Sequence, residues 1–93
     1  MTPEGKIKQK VKDLLTENRC YFFMPVQTGY GAAGLDFHCV APGGKAFFVE
    51  TKAEDKDLTD RQIALGERLT KLGAPVFVIY DDASLDKLRM WLE

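Results

Sequence analysis

The chemically informative stretch of this chain is an apolar run that carries two opposite charges. Phe47, Phe48 and Val49 lead into Glu50-Thr51-Lys52, so a buried-strand pattern ends in a carboxylate and an ammonium two positions apart. Strand side chains alternate, which predicts that Glu50 and Lys52 project from the same face. Charged groups beside a core are costly unless they are paired, hydrated or bound to a metal. Upstream, Gly34-Leu35-Asp36-Phe37 places a second carboxylate on what reads as the preceding strand. Asp36, Glu50 and the backbone carbonyl of Thr51 could offer hard oxygen ligands to one divalent cation, an arrangement that suits Mg2+. A cation held there lowers the pKa of a bound water and neutralises charge growing on an attacked phosphate. Lys52 could orient that water or act as a fixed cation for the same charge. Glu-x-Lys alone is common, and the competing reading is a Glu50–Lys52 ion pair on an exposed sheet face.

The elements that would position these residues follow from spacing. Thr2-Pro3-Glu4 is a helix start, with a hydroxyl N-cap, proline at the first helical position and an acid in the first turn. Ile7, Val11, Leu14 and Leu15 give the helix one apolar stripe, opposite an exposed face of Lys6, Lys10, Asp13 and Glu17. Glu4 leans toward the stripe, either as a carboxylate favoured by the helix dipole or as an acid at the edge of an active site. A first strand is expected over 20–24 with Pro25-Val26 after it, then a glycine-containing loop over 27–34. That loop lacks the Gly-Lys-Ser/Thr ending of a phosphate-binding P-loop. A second strand over 35–41, a tight turn at Pro42-Gly43-Gly44-Lys45 and a third strand over 46–52 form a hairpin. Leu35, Phe37 and Cys39 should share one face of the second strand, with Asp36, His38 and Val40 on the other.

A charged loop over 53–57 then leads to a Thr59-x-x-Gln62 capping box that opens a second helix. Its apolar side is Ile63, Leu65, Leu69 and Leu72, with Gly66 permitting close packing on the sheet. Gly73 and Pro75 stop it. The continuously apolar Val76-Phe77-Val78-Ile79-Tyr80 predicts a strand covered on both faces. A last helix starts at Asp81-Asp82-Ala83-Ser84 and runs through Trp91. The order αβββαβα gives a mixed four-stranded sheet in an α/β layered domain.

Composition bounds the rest. Ninety-three residues, 45% hydrophobic and 29% charged, predict one domain over 1–93. No apolar run approaches the ~20 residues that span a bilayer, and no signal-peptide pattern is present, so a cytoplasmic location and no membrane partner are expected. Cys20 and Cys39 lack metal spacing and read as reduced, buried thiols. His38 is the only histidine and reads as packed. The net charge of −1 is unhelpful to nucleic-acid binding, a cost that a cation among the carboxylates would offset.

The motifs resemble, in order and over nearly the whole chain, the VRR-NUC branch of the PD-(D/E)XK nuclease superfamily. The similar segments are Gly31-Ala32-Ala33-Gly34-Leu35-Asp36-Phe37 and Phe48-Val49-Glu50-Thr51-Lys52. Leu58-Thr59-Asp60-Arg61-Gln62 and Gly73-Ala74-Pro75-Val76 follow at suitable spacing. Leu35 stands where the family name has proline, at a position that varies widely. The resemblance implies a restriction-endonuclease-like αβββαβ core plus a C-terminal helix, with Mg2+- or Mn2+-dependent cleavage of DNA. It implies Asp36 and Glu50 as metal ligands, with Lys52 as catalytic lysine and Gln62 as an accessory active-site residue. Gln62 is also explained by the capping box alone. Tyr30 could stack on nucleic acid, and Lys8, Lys12, Lys45, Lys56 and Arg61 could contact phosphates.

The reading is therefore a DNA endonuclease acting on branched substrates such as four-way junctions, with no organic cofactor. A phage-borne protein of this type would work in the bacterial cytosol. The alternatives are a flap-type nuclease and a non-cleaving nucleic-acid-binding module on the same fold. A homodimer is expected, because a junction needs two symmetric cuts. Tyr21, Phe23, Met24, Met90 and Trp91 also exceed the needs of one small core, and some of them are expected to face a partner.

Overall fold

The computed structural model describes residues 2–25, 35–53 and 56–93. The glycine loop with Tyr30, the residue Val26 and the acids Glu54 and Asp55 lie outside the described residues. The elements are α1 (Pro3–Glu17), β1 (Tyr21–Phe23), β2 (Phe37–Ala41), β3 (Lys45–Thr51), α2 (Asp60–Lys71), β4 (Val76–Ile79) and α3 (Asp82–Leu92). The Thr2 hydroxyl accepts from the Gly5 N–H at the start of α1. The helix ends with Arg19 in the left-handed region (φ 58°) and the Cys20 N–H donating to the Leu15 carbonyl.

Between β2 and β3 the Gly44 N–H donates to the Ala41 carbonyl, with Pro42 and then Gly43 (φ 89°) at the turn centre. This is a type II turn, which needs a positive φ at its third residue and hence glycine there. It sets the register Phe37↔Val49 through Ala41↔Lys45. β1 pairs antiparallel with β2, and β4 pairs parallel with β3, giving the order β1-β2-β3-β4. Only a crossover can return a chain to a parallel neighbour, and α2 is that crossover.

Odd-numbered β3 and β4 residues face α1 and α3, and even-numbered ones face α2. Phe47, Val49 and Ile79 join Val11, Leu14, Leu15, Leu85 and Leu88 in the core. Trp91 packs edge-on to Phe47 at 5.1 Å and lies 5.3 Å from Phe77, so it is half-buried against the core and not a surplus residue. Met24 also packs against the core, whereas Tyr21, Phe23 and Met90 are exposed.

Several expectations need correction. Asp36 is a bend before β2 and not a strand residue, and Lys52 follows β3 by one residue. Because the chain bends at Asp36, Leu35 leaves the face of Phe37 and Cys39 and instead lines the gap beneath α2. β4 is an edge strand with only Ile79 buried, since the crossover delivers it to the sheet margin. α2 itself has no buried residue: Ile63 is 44% and Leu72 74% exposed. A Cβ added at Gly66 would meet Val76 Cγ2 at 3.9 Å, an ordinary contact, so that glycine is not what brings the helix close.

Candidate active site

The end of the sheet where β2 begins and β3 finishes gathers Asp36, Glu50 and Thr51. Asp36 and Glu50 stand opposite each other one position past the Phe37↔Val49 pair, which brings the two carboxyl groups side by side. Each is held by bonds that fix its orientation. Asp36 Oδ2 accepts from the Thr51 N–H (2.9 Å) and from the Thr51 hydroxyl (2.6 Å). Glu50 Oε1 accepts from the Asp36 N–H (3.2 Å), and Oε2 accepts from the Gln62 side-chain amide. Among the described residues, that leaves Asp36 Oδ1 as the one carboxylate oxygen of the four without a hydrogen bond. Lys8 from α1 stands 3.9 Å from it.

Two helices on opposite faces of the sheet thus each reach the pair, α1 through Lys8 and α2 through Gln62. The capping box explains how Gln62 arrives. Its Oε1 accepts from the Thr59 N–H, which fixes the side chain and aims Nε2 at Glu50. Capping and site contact are therefore two ends of one amide.

Glu50 is 3% exposed and looks into a cavity of about 440 Å³ walled by Leu35, Leu58, Ile63, Val76 and Val78. Burial, and then the hydrogen bond and charge of Asp36, push its carboxyl up to about 8, while Lys52 and the Asp36 N–H pull the other way. No ion pair within 4.0 Å joins Lys52 to Glu50, and Glu50 is not on an exposed face, so the surface-pair reading of Glu-x-Lys fails. Lys52 is half-buried and shares a groove with Lys56, Leu58, Val78 and Tyr80.

Two adjacent carboxylates, one of them destabilised as an anion by its apolar surroundings, are a fit for a hard divalent cation. Among the described residues no group of three or more His, Cys, Asp or Glu forms. The remaining ligands would have to be backbone oxygen, water and substrate phosphate, the set that Mg2+ and Mn2+ accept.

A solved structure described as a VRR_NUC domain matches with a TM-score of 0.81 and 27% identity, over 95% of this chain and 95% of that one. The match supports a VRR-NUC domain. No family model matches the sequence, and no curated protein matches it. The mixed sheet flanked by helices is the restriction-endonuclease-like fold, and the domain is of nuclease type.

Not every candidate residue of the VRR-NUC domain lies at this site. Lys45 stands at the far end of β3, with its ammonium 5.7 Å from the Trp91 ring centre. Glu50 lies five positions further along the strand, roughly 16 Å away. Arg61 is exposed in the first turn of α2, and Lys56 is exposed near Lys52. Glu4 is half-buried in the first turn of α1, one turn before Lys8 on the same flank. Tyr30 lies outside the described residues.

His38 is flanked by Phe48 at 5.0 Å and Phe23 at 6.3 Å, both edge-on, which is packing and not ligation. Cys20 and Cys39 are free thiols, and burial pushes Cys39 up to about 12, so it is inert. Among the described residues, no helix is long and apolar enough to cross a membrane.

The Thr51 side chain is a site residue that sequence reasoning missed, having been considered only for its carbonyl. Its signal was weak: a β-branched residue in a strand is ordinary. The approach of Lys8 was legible in principle, since Glu4, Lys8, Val11 and Leu15 share one helix flank.

Proposed function

We propose that this VRR-NUC domain, residues 1–93, is a Mg2+- or Mn2+-dependent endodeoxyribonuclease that hydrolyses phosphodiester bonds in branched or structured DNA and works as a homodimer. The observation that carries the reading is the half-buried Asp36 beside the buried Glu50, both locked in orientation, with one oxygen free of hydrogen bonds from the described residues. A binding module has no use for a buried carboxylate whose ionisation is opposed by its surroundings.

Asp36 and Glu50 would hold the cation, with the Thr51 backbone beside them. A bound divalent cation supplies Lewis-acid polarisation of a phosphate oxygen and an acidified water. Thr51 keeps Asp36 turned toward the site through its two hydrogen bonds. Gln62 holds Glu50, so the ligand pair needs little reorganisation on loading. Lys52 provides a positive charge on the Glu50 side for the phosphate oxygens as negative charge grows. Glu4, one turn before Lys8 on α1, would be an acid at the margin of the site.

The test is a panel of labelled duplex, flap, splayed-arm and four-way-junction DNAs incubated with Mg2+ or Mn2+. Cleavage of branched substrates that is lost in Asp36→Asn and Glu50→Gln, both still folded, is the expected result. Cutting of flaps alone moves the reading to a flap-type nuclease. No cleavage of any substrate with either metal defeats it.

A further inference from the structure

We propose that Lys8 is a substrate-phosphate contact held in reserve on Asp36, and that it competes with the divalent cation for that carboxylate. The inference rests on the metal-site reading above. Its starting point is an asymmetry within Asp36. Oδ2 is committed to the Thr51 N–H and hydroxyl, and Glu50 accepts on both of its oxygens. Among the described residues no hydrogen bond occupies Oδ1, and it is the oxygen that faces the Lys8 ammonium at 3.9 Å.

That separation is too long for a hydrogen bond, so Lys8 neutralises Asp36 by proximity without being locked to it. Its side chain is one third exposed and belongs to a helix on the opposite face from α2. It can therefore swing outward without disturbing the core stripe of Val11, Leu14 and Leu15.

A monovalent ammonium and a divalent cation cannot share one carboxylate oxygen without repulsion. Loading the cation drives Lys8 off Asp36. The nearest partner for a displaced ammonium is the anion that the loaded site recruits, a phosphate of the bound nucleic acid. Lys12 lies one turn further along the same flank of α1 and extends the positive strip away from the carboxylates. Lys8 thus serves the metal-free protein as a counter-charge and the loaded protein as a phosphate contact, and the two roles predict effects of opposite sign.

Calorimetric titration of the DNA-free protein with Mn2+ reads the first role. Lys8→Ala should bind Mn2+ roughly three- to tenfold more tightly than wild type, the scale for removing one charge a few ångströms from a partly solvated ion. Lys8→Arg should not tighten, and Lys87→Ala, which removes an exposed lysine of α3, should match wild type. Binding of a four-way junction in Ca2+ across a salt series reads the second role. Lys8→Ala should flatten the slope of log affinity against log salt by about 0.9, the loss of one phosphate contact, with Lys8→Arg restoring it.

Unchanged Mn2+ affinity in Lys8→Ala overturns the competition, and an unchanged salt slope overturns the phosphate contact. Asp36→Asn separates the two levels of inference. If it binds Mn2+ as well as wild type does, the metal-site reading itself has failed. If it loses Mn2+ while Lys8→Ala does not tighten, only the role of Lys8 is wrong.

Discussion

Glu50 is the residue in which burial and chemistry are most closely joined. Its carboxyl is pushed up to about 8 from an ordinary 4.5, because burial and the adjacent Asp36 both oppose the anion. Between those values the folded protein keeps a proton that the unfolded chain has released. The contribution of Glu50 to stability is therefore fullest below about pH 4.5 and is lost as pH rises from there through about 8. Thermal melts of chelator-treated protein between pH 5 and 9 should show that decline, and Glu50→Gln should flatten it and melt higher at pH 8. A wild-type melting temperature independent of pH across this window contradicts the account. Lys52 is tested by turnover. If it meets charge developing on phosphate oxygens, Lys52→Ala loses ~10² or more in rate while Mn2+ affinity stays close to wild type. Wild-type turnover in that variant would leave Lys52 as a half-buried bystander.

Among the elements, α2 is the one the sequence described least well, for a physical reason. Ile63, Leu65, Leu69 and Leu72 have helical spacing, but spacing reports which face is apolar and not how closely that face seats. The helix is held by its N-terminal capping box and by the amide of Gln62, and the cavity beneath it stays open. Gly66 can therefore take a side chain. Gly66→Ala adds a methyl at ordinary contact distance from Val76 and removes the helix-propensity penalty of glycine. The expected gain is about 1 kcal/mol, or roughly 4–8 °C in melting temperature. A destabilised variant would mean that α2 must approach the sheet more closely than it does here.

The hairpin was far more legible. The Pro-Gly-Gly turn and the strict alternation about Phe37, Cys39, Phe47 and Val49 fixed its register, and register alone brings Asp36 beside Glu50. What could not be read was the bend at Asp36, which sends Leu35 beneath α2. Local alternation carries no information on where a strand stops pairing. Nor could spacing show that Thr51 spends its hydroxyl on Asp36, since that bond exists only once both strands are in place.

At the scale of the whole molecule the question is how so small and mildly acidic a body engages DNA. The fold measures 33 × 33 × 22 Å, so one copy spans about ten base pairs at ~3.4 Å each. It carries one carboxylate pair, and two symmetric cuts across a junction require two. A two-fold dimer supplies both and doubles the phosphates neutralised at once, which matters for a chain whose own net charge is −1. The structure narrows where a second copy would sit. Of the aromatic and sulfur-containing residues that exceeded one core's needs, Trp91 and Met24 are half-buried against the core and Met90 is exposed on α3. Tyr21 at 66% and Phe23 at 53% exposure remain on the outer face of β1, with Val40 beside them on β2. They carry no charge to bind phosphate. Light scattering at micromolar concentration should give twice the 10.5 kDa chain mass, and Tyr21→Lys with Phe23→Lys should return it to one chain while the melt stays cooperative. The dissociated variant should nick a junction on one strand at a time and lose paired cuts. A wild-type protein that scatters as one chain at those concentrations and still makes paired cuts would remove the dimer from the account.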